Sequence, residues 1–349
     1  MKRFSILILT LCLCLTGCGK QTTEATAQIF AMDTVMEVAA YGEHAEQAVK
    51  STEKRIEELE NRLSRTKADS LVSGLNRDGS IRHLTYDYWN LIARAKEYRD
   101  ATNGAFDITI APVMDAWGFT GDSFRVPEQS ELDTLLKKVN SDAIQMLGSP
   151  SDSVTLGEGQ AIDLGGIAKG YTSDLVEQTF RANGIESGKI SLGGNVFVLG
   201  GKPDGSDWRV GIKDPRNESG LAAILSLRDA YAITSGGYER YFEENGKTYH
   251  HIIDPATGYP ADSGLLSVTV VADANGPDWA GAGNGTMCDA FSTALFVMGE
   301  EQALDFWRNG GYDFDLVLVT EDGRVVITAG LADRFEEVKD SGYTYETVS

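Results

Sequence analysis

The sequence predicts an α+β protein with mixed or antiparallel sheets and packed helices. Segments with helical periodicity and short alternating strands follow one another without the regular strand and helix alternation of a parallel sheet. Hydrophobic residues make up 42% of the chain, which is ample for a large core. Residues 28–349 therefore predict one large domain, or two subdomains that are closely intertwined.

The N-terminal segment indicates export and membrane attachment. Lys2 and Arg3 precede an apolar run at residues 4–15, the layout of a secretory signal that is too short for a permanent transmembrane helix. The L-T-G-C that follows resembles a bacterial lipobox, which predicts a signal peptide over residues 1–17, a lipid on Cys18 and a tether over residues 18–27. We then expect the protein at the extracytoplasmic face of the cytoplasmic membrane. The alternative is an ordinary cleaved signal with a chance cysteine.

Charge and cysteine content narrow the classes of function. The formal net charge of -21 argues against a nucleic-acid partner and against adsorption to anionic lipid. An anionic phosphate ligand would therefore need locally arranged donors or a bound cation. Once the signal is removed, Cys288 is the one thiol of the folded part, so stability must come from a large core and not from disulfides.

The first half of the chain mixes helices, strands and polar loops. Apolar residues at helical spacing predict helices over residues 43–63 and 86–101, and alternation predicts one strand over residues 28–41. The remaining segments predict a polar loop with a short apolar periodicity over 63–76, a strand-like start with an aromatic turn over 105–121, a short surface helix over 127–139, and hairpin strands over 143–148 and 153–155.

Strands dominate the second half. A helix follows a double-glycine turn and ends near Gly184, and further helices cover residues 289–298 and the segment up to 309. A loop rich in glycine and small residues is expected over 275–285. Short, glycine-punctuated strands predict an antiparallel sheet from residues 189–200, 208–212, 223–227, 230–234, 265–272, 316–320 and 324–328.

The double-glycine turn is the first candidate for a functional site. Residues 162–171, I-D-L-G-G-I-A-K-G-Y, gather Asp163, Lys169 and bare backbone amides where a helix begins. Such groups can hold a phosphate. In the alternative interpretation, the glycines serve only the backbone geometry of a tight turn.

The second candidate is D-A-F-S-T at residues 289–293. Residues four apart lie one above the other on a helix, so Asp289 and Thr293 present a carboxylate and a hydroxyl on one face. These hard oxygen ligands suit Mg²⁺ or Ca²⁺ better than zinc. The alternative is that Asp289 merely stabilises the start of its helix through the helix dipole.

The third candidate is His251, a residue type suited to accept a proton near neutral pH. It lies beside a turn that begins at Asp254, and a purely structural histidine is the alternative. His250 would point to the opposite face of a strand, while His44 and His83 are expected at the surface. The motifs of nucleotide-binding P-loops, dinucleotide folds, serine hydrolases and zinc enzymes are absent from the sequence in a supporting context.

Eight motifs in order resemble the FAD:protein FMN transferase family, the ApbE-like flavin transferases, in which lipoproteins are common. They are A-M-D-T from Ala31, L-S-R-T-K-A-D-S with L-N from Leu63, F-D-I-T with P and W-G-F from Phe106, I-D-L-G-G-I-A-K-G-Y from Ile162, L-G-G-N from Leu192, I-T-S-G-G-Y from Ile233, H-I-I-D-P-A-T-G-Y-P from His251 and D-A-F-S-T-A-L-F-V-M-G from Asp289. The resemblance implies an ApbE-like architecture of the T-fold type.

The resemblance also implies an activity and its site residues. The enzyme would split FAD, its substrate, at the pyrophosphate, join FMN by a phosphoester bond to a Thr or Ser hydroxyl of a partner protein, and release AMP. Typical partners in such families are subunits of sodium-pumping NADH:quinone oxidoreductase, Rnf-type complexes or related flavin-carrying proteins. Mg²⁺ would be held by Asp289, Thr293 and the carbonyl of Gly166, and His251 would be the base. The residues implied at the FAD site are Met32, Thr66, Ala116, Trp117, Gly118, Asp163, Lys169 and Ile253, with Trp117 near the ring systems.

The sequence departs from the family pattern at two places. Thr66 replaces an aromatic residue found in many members, which puts a stacking contact there in doubt. The 275–285 loop is longer than expected and could alter access for the acceptor.

Two other functions remain as alternatives. The same site could use water and act as an FAD pyrophosphatase, or the chain could be a flavin-binding lipoprotein without turnover.

Overall fold

The structure is a computed structural model that describes residues 23–121, 123–148, 152–275 and 283–349. The predicted signal peptide, the lipidation site Cys18 and most of the 275–285 loop lie outside these residues. Within them, none of the helices combines the length and the apolar character needed to cross a membrane. The mixture of helices and largely antiparallel sheets confirms the predicted α+β class.

The described residues contain seven α-helices, and those predicted from apolar periodicity are confirmed. Helix α1, for example, buries Val49, Ile56 and Leu59 on one stripe and exposes charged residues elsewhere. The helices are α1 (Ala45–Leu63), α2 (Leu71–Asp78), α3 (Tyr86–Ala101), α4 (Ala111–Trp117), α5 (Gln129–Leu135), α6 (Ala168–Ala182) and α7 (Asn284–Asn309).

A nine-stranded sheet forms the centre of the fold. Its neighbouring strands are antiparallel, except that the last two run parallel. In spatial order the strands are β1 (Glu24–Ala31), β2 (Thr34–Tyr41), β6 (Ser187–Leu192), β7 (Asn195–Leu199), β10 (Ala230–Gly236), β13 (Leu265–Asp273), β14 (Asp315–Thr320), β15 (Arg324–Thr328) and β17 (Thr344–Val348).

Three smaller sheets complete the described part of the chain. The first has the order β16 (Phe335–Glu337), β9 (Asn217–Leu227) and β8 (Trp208–Asp214), and the second β3 (Ser80–Ile81), β5 (Ser153–Thr155) and β4 (Gln145–Leu147). The third is a hairpin of β11 (Tyr241–Glu244) and β12 (Lys247–His250).

The central sheet is covered on both faces because its side chains alternate between two cores. On β14, Leu316 and Leu318 belong to the main core, which also contains the buried faces of α1, α6 and α7. Val317 and Val319 belong to a second core, which they share with Trp208 of β8 and other residues of the β16-β9-β8 sheet. This alternation gives three layers, with helices, the large sheet and the small sheet stacked in that order.

Two segments predicted as single strands are hairpins instead. Residues 28–41 fold back at Met32 and Asp33, whose φ angles are 51° and 59°, and residues 189–200 fold back at Gly193 and Gly194. Period-two patterning continues across such tight turns, so the alternation alone did not reveal them.

Two further predictions were wrong because local capping and turn residues formed helices. The expected 63–76 loop contains the start of α2, where the Ser70 hydroxyl accepts a hydrogen bond from the Ser73 amide. The expected strand-like start of 105–121 is helical, with Pro112 in the first turn of α4. The two helices predicted over residues 289–298 and up to 309 are confirmed, because α7 is interrupted between them at Gly299, whose φ of 79° is not helical.

Helices α6 and α7 cross at two glycines, and a carboxylate of each helix accepts hydrogen bonds from backbone amides of the other. A Cβ atom on Gly170 would lie 2.2 Å from the carbonyl oxygen of Gly285, so the two backbones touch. The Gly170 amide donates to Asp289 Oδ2 on α7 at 2.8 Å. In return, Asp174 on α6 accepts from the Gly285 and Thr286 amides at 2.8 and 2.9 Å. Each helix thus supplies the carboxylate that satisfies free amides at the start of the other.

We predict that Gly170→Ala destabilises the protein by about 1–3 kcal/mol, because the added methyl group forces the helices apart. Gly74→Ala in α2 is the matched control, since the nearest atom to a Cβ there, Arg77 Nη2, lies 3.8 Å away. Urea unfolding measures both variants. Equal midpoints for Gly170→Ala and Gly74→Ala would contradict the proposed crowding at the crossing.

Candidate active site

A cavity of about 730 Å³ opens where the first hairpin, the loop after α1, the start of α6 and the side of α7 meet. This volume is in the range of small-molecule sites. Nine of the twelve site residues predicted within the described part of the chain line it: Met32, Thr66, Asp163, Gly166, Lys169, His251, Ile253, Asp289 and Thr293. The structure therefore brings together residues from all three candidate motifs.

The other three predicted residues, Ala116, Trp117 and Gly118, do not line the cavity that the other nine share. The position of Trp117 near the flavin rings stays a prediction. The Trp117 side chain is completely buried, and its Nε1 donates to the Gly258 carbonyl at 2.7 Å. Phe119, two residues later, lines the cavity instead. The W-G-F motif placed an aromatic side chain at the site, but the buried tryptophan supports the wall from behind.

Asp289 and Thr293 lie one turn apart on α7 and face the glycine turn before α6. A Cβ on Gly166 would be 3.4 Å from Thr293 Oγ1, so the backbone of the turn runs close to this hydroxyl. Thr293 Oγ1 also lies 3.2 Å from the Ser235 hydroxyl, which lies 2.8 Å from that of Ser292. The Asp289 carboxylate and the Thr293 hydroxyl thus face the backbone of the glycine turn at one corner of the cavity.

The carboxylate of Asp289 is held from two sides. Besides the Gly170 amide, Asn195 Nδ2 donates to Asp289 Oδ1 at 3.0 Å. Burial raises the pKa of Asp289, whereas the positive charge of Lys169 and these hydrogen bonds oppose that rise. Asn195 was not predicted as a site residue, although it ends the L-G-G-N motif.

The donor set at this corner fits Mg²⁺ better than a transition metal. Nowhere in the described residues do three His, Cys, Asp or Glu side chains converge in a way that could hold a metal. A cation near Asp289 would therefore have one carboxylate, together with the Thr293 hydroxyl and the Gly166 carbonyl. Mg²⁺ accepts such an incomplete protein shell because substrate phosphates and water supply its other ligands.

Asp163 is fixed at the opposite side of the glycine turn. It accepts from Arg65 Nη1 at 3.0 Å and from the Gly165 amide at 2.7 Å, and Arg65 also pairs with Asp115 at 2.7 Å. Arg65 was missed by the sequence analysis, although it belongs to the L-S-R-T motif. The hydroxyl of the neighbouring Thr66 lies 3.0 Å from that of Ser64. Because threonine has no ring, this position offers a ligand no stacking contact.

His251 follows strand β12 and faces the cavity. Its Nδ1 lies 3.2 Å from the Arg240 carbonyl oxygen, which assigns the proton to Nδ1 and leaves the lone pair on Nε2. Burial, reinforced by the positive charge of Lys169, lowers the pKa of His251 to about 3, so the ring is neutral at physiological pH. His250 bonds through Nε2 to the Ala261 carbonyl outside the cavity, as the alternation of the strand predicted.

The cavity is much less acidic than the whole chain. Five basic and six acidic side chains line it, although the protein carries a formal net charge of -21. Four basic residues that the sequence analysis missed, Arg65, Lys67, Lys213 and Arg240, add to Lys169. These local cations supply the donors that an anionic phosphate ligand requires in an acidic protein.

The comparison with known protein families identifies the family of this chain. The model of the ApbE family matches residues 32–316. The chain belongs to the ApbE family. Among its relatives, the FAD:protein FMN transferase of Treponema pallidum is 31% identical over 83% of this chain and 82% of its own length. The FAD:protein FMN transferase of Klebsiella pneumoniae is 33% identical over 82% of this chain and 86% of its own length.

A solved structure supports the same assignment. The crystal structure of the ApbE protein from Thermotoga maritima has a TM-score of 0.78 to this chain at 30% identity, covering 91% of this chain and 97% of that one. The ApbE-like fold and the family predicted from the eight motifs are confirmed.

We predict that the His251 imidazole does not titrate between pH 8 and pH 5, because its pKa is lowered to about 3. NMR of the histidine side chains measures this directly, and the His251→Gln spectrum assigns the resonance. The exposed rings of His44 and His83 serve as references in the same spectra. A His251 resonance that shifts with a midpoint near the ordinary value of about 6.5 would contradict the described environment.

Proposed function

We propose that this protein uses Mg²⁺ to transfer FMN from FAD to a Ser or Thr hydroxyl of a partner protein, with release of AMP. The observation that carries the proposal is the convergence of Asp289, Thr293, Gly166 and His251 in one cavity. Hard oxygen ligands and a neutral base are the groups that phosphoryl transfer to a hydroxyl requires.

The transfer of FMN from FAD to a protein is the activity that names the relatives of this chain. This protein is an enzyme of that kind. The magnesium requirement, the hydroxyl acceptor and the identity of the partner belong to our proposal. For the partner we propose a flavin-carrying subunit of the type found in sodium-pumping NADH:quinone oxidoreductase or Rnf complexes, on the basis of the sequence resemblance.

The cation would be held by Asp289, Thr293 and the Gly166 carbonyl. It would neutralise the pyrophosphate and stabilise the charge that develops as the bond breaks. Asn195 and the Gly170 amide keep the Asp289 carboxylate in place, so the protein part of this site is pre-organised.

His251 would accept the proton of the acceptor hydroxyl at Nε2. The hydroxyl oxygen forms a bond to the FMN phosphorus, the phosphoanhydride bond breaks, and AMP leaves with the bridging oxygen. Burial is the main cause of the low pKa of His251, and the positive charge of Lys169 adds to it. A pyrophosphate bound beside Lys169 would offset the second of these effects and raise the basicity of the ring.

We predict that His251→Gln lowers the transfer rate by about 10²–10⁴-fold, the usual contribution of a general base. His250→Gln is the matched control, because this adjacent ring lies outside the cavity.

We also predict that Asp289→Asn abolishes transfer at Mg²⁺ concentrations that saturate the unsubstituted enzyme. The assay incubates the enzyme, FAD and Mg²⁺ or EDTA with a protein carrying a D-G-A-[ST] motif, and then measures intact mass and AMP.

The same assay separates the alternatives. AMP release without a gain of FMN mass on the acceptor would show that water is the acceptor and that the enzyme is an FAD pyrophosphatase. FAD that co-purifies without any AMP release would show a flavin-binding lipoprotein. Full transfer by His251→Gln would remove this histidine from the role of base.

We also propose a lipid anchor on Cys18 that holds the enzyme at the extracytoplasmic face of the cytoplasmic membrane. The L-T-G-C motif after an apolar signal supports it. We predict that Cys18→Ser moves the protein from the membrane fraction to the soluble extracytoplasmic fraction, while its FAD-dependent activity is unchanged. Unaltered membrane association of Cys18→Ser would contradict a lipid on this residue.

A further inference from the structure

The exposed apolar side chains of this protein are concentrated at one place. Among the residues that the structure describes, seven large apolar side chains are exposed. Four of them, Phe30, Val35, Phe124 and Tyr241, adjoin residues that line the mouth of the cavity, and we call these four the mouth patch. Such clustering of apolar surface is typical of interaction sites, whereas scattered single residues are not informative.

The first half of the mouth patch lies on the β1-β2 hairpin. Phe30 and Val35 are directly opposite each other in the strand register and are 74% and 56% exposed. The turn between them contains Met32 and Asp33, which line the cavity. Two apolar side chains therefore project into solvent immediately beside the entrance.

The second half of the mouth patch consists of Phe124 and Tyr241, and Arg240 connects it to the hairpin. Arg240 Nη2 lies 3.5 Å from Asp33 Oδ2 of the hairpin, and Arg240 Nη1 donates to the Phe119 carbonyl at 2.7 Å. Tyr241, which is 49% exposed, follows Arg240 in the chain. The ring of Phe124, which is 41% exposed, packs against Phe119 at 5.8 Å. The two halves of the patch are therefore linked through the Arg240–Asp33 pair.

The mouth patch also adjoins the proposed base. His251 Nδ1 lies 3.2 Å from the carbonyl oxygen of Arg240, the residue that connects the halves of the patch. A protein that delivers a hydroxyl to His251 would therefore contact the surface beside Arg240.

We propose that the mouth patch is the docking surface for the acceptor protein, and that the acceptor presents apolar side chains next to its reactive Ser or Thr. This inference rests on the proposed transfer of FMN to a protein. Exposed aromatic rings and an arginine are side chains that are enriched at protein interfaces. The surface would then set the affinity for the acceptor, while the cavity carries out the chemistry.

The test compares a Phe30→Ser/Val35→Ser double variant with a Tyr86→Ser/Leu147→Ser control. Tyr86 and Leu147 are also exposed and apolar, but they do not line the cavity. We expect the KM for the folded D-G-A-[ST] acceptor protein to rise about tenfold or more in the first variant only. The affinity for FAD and AMP release without acceptor should stay within twofold, and the KM for a short synthetic peptide with the same motif should not change.

The outcomes distinguish the two proposals. If transfer proceeds and the KM for the acceptor protein is unchanged in the Phe30→Ser/Val35→Ser variant, the docking surface is wrong while the transferase function stands. An equal rise in both double variants would likewise overturn it. If the unsubstituted enzyme releases AMP but transfers FMN to no protein, both the function and the docking surface are wrong. Equal urea midpoints of all three proteins confirm that folding is unaffected.

Discussion

The site depends on the reciprocal hydrogen bonds between α6 and α7, in which a carboxylate of each helix accepts from backbone amides of the other. Asp289 reaches the amide of Gly170 only because two glycines allow the helix backbones to touch. Asp174 satisfies the first amides of α7 in return. The proposed metal corner is therefore part of a helix crossing in the core, and its geometry is stabilised by the same hydrogen bonds that stabilise the fold.

The cavity lies where the main apolar core meets the charged side chains of the site. Leu63, Phe106 and Ile252 belong to that core and also line the cavity, so the apolar part of the cavity wall is continuous with the core. The charged residues of the site come from turns, helices and strand β8. Lys213 of β8 and Lys169 of α6 reach the same cavity from different layers, which concentrates positive charge there in an acidic protein.

The resulting electrostatics couple the base to the substrate site. Lys169 influences the pKa of both His251 and Asp289, lowering the first and opposing the rise of the second. Burial is the main reason that His251 is neutral, with Lys169 acting in the same direction, and Lys169 also favours the charged form of Asp289. A neutral imidazole and an ionised carboxylate are the protonation states that proton acceptance and cation binding require.

The sequence by itself determined the α+β class, the main helices, the ApbE family and nine residues of the cavity, because helical spacing and short motifs are local properties. The pair Asp289 and Thr293 shows this, since four residues of helix place both on one face. Only the tertiary structure decided that Trp117 is buried behind the cavity wall and that Asn195 holds Asp289. Those contacts join residues far apart in the chain, here 94 positions, and periodicity within one segment carries no information about which distant segment packs against it.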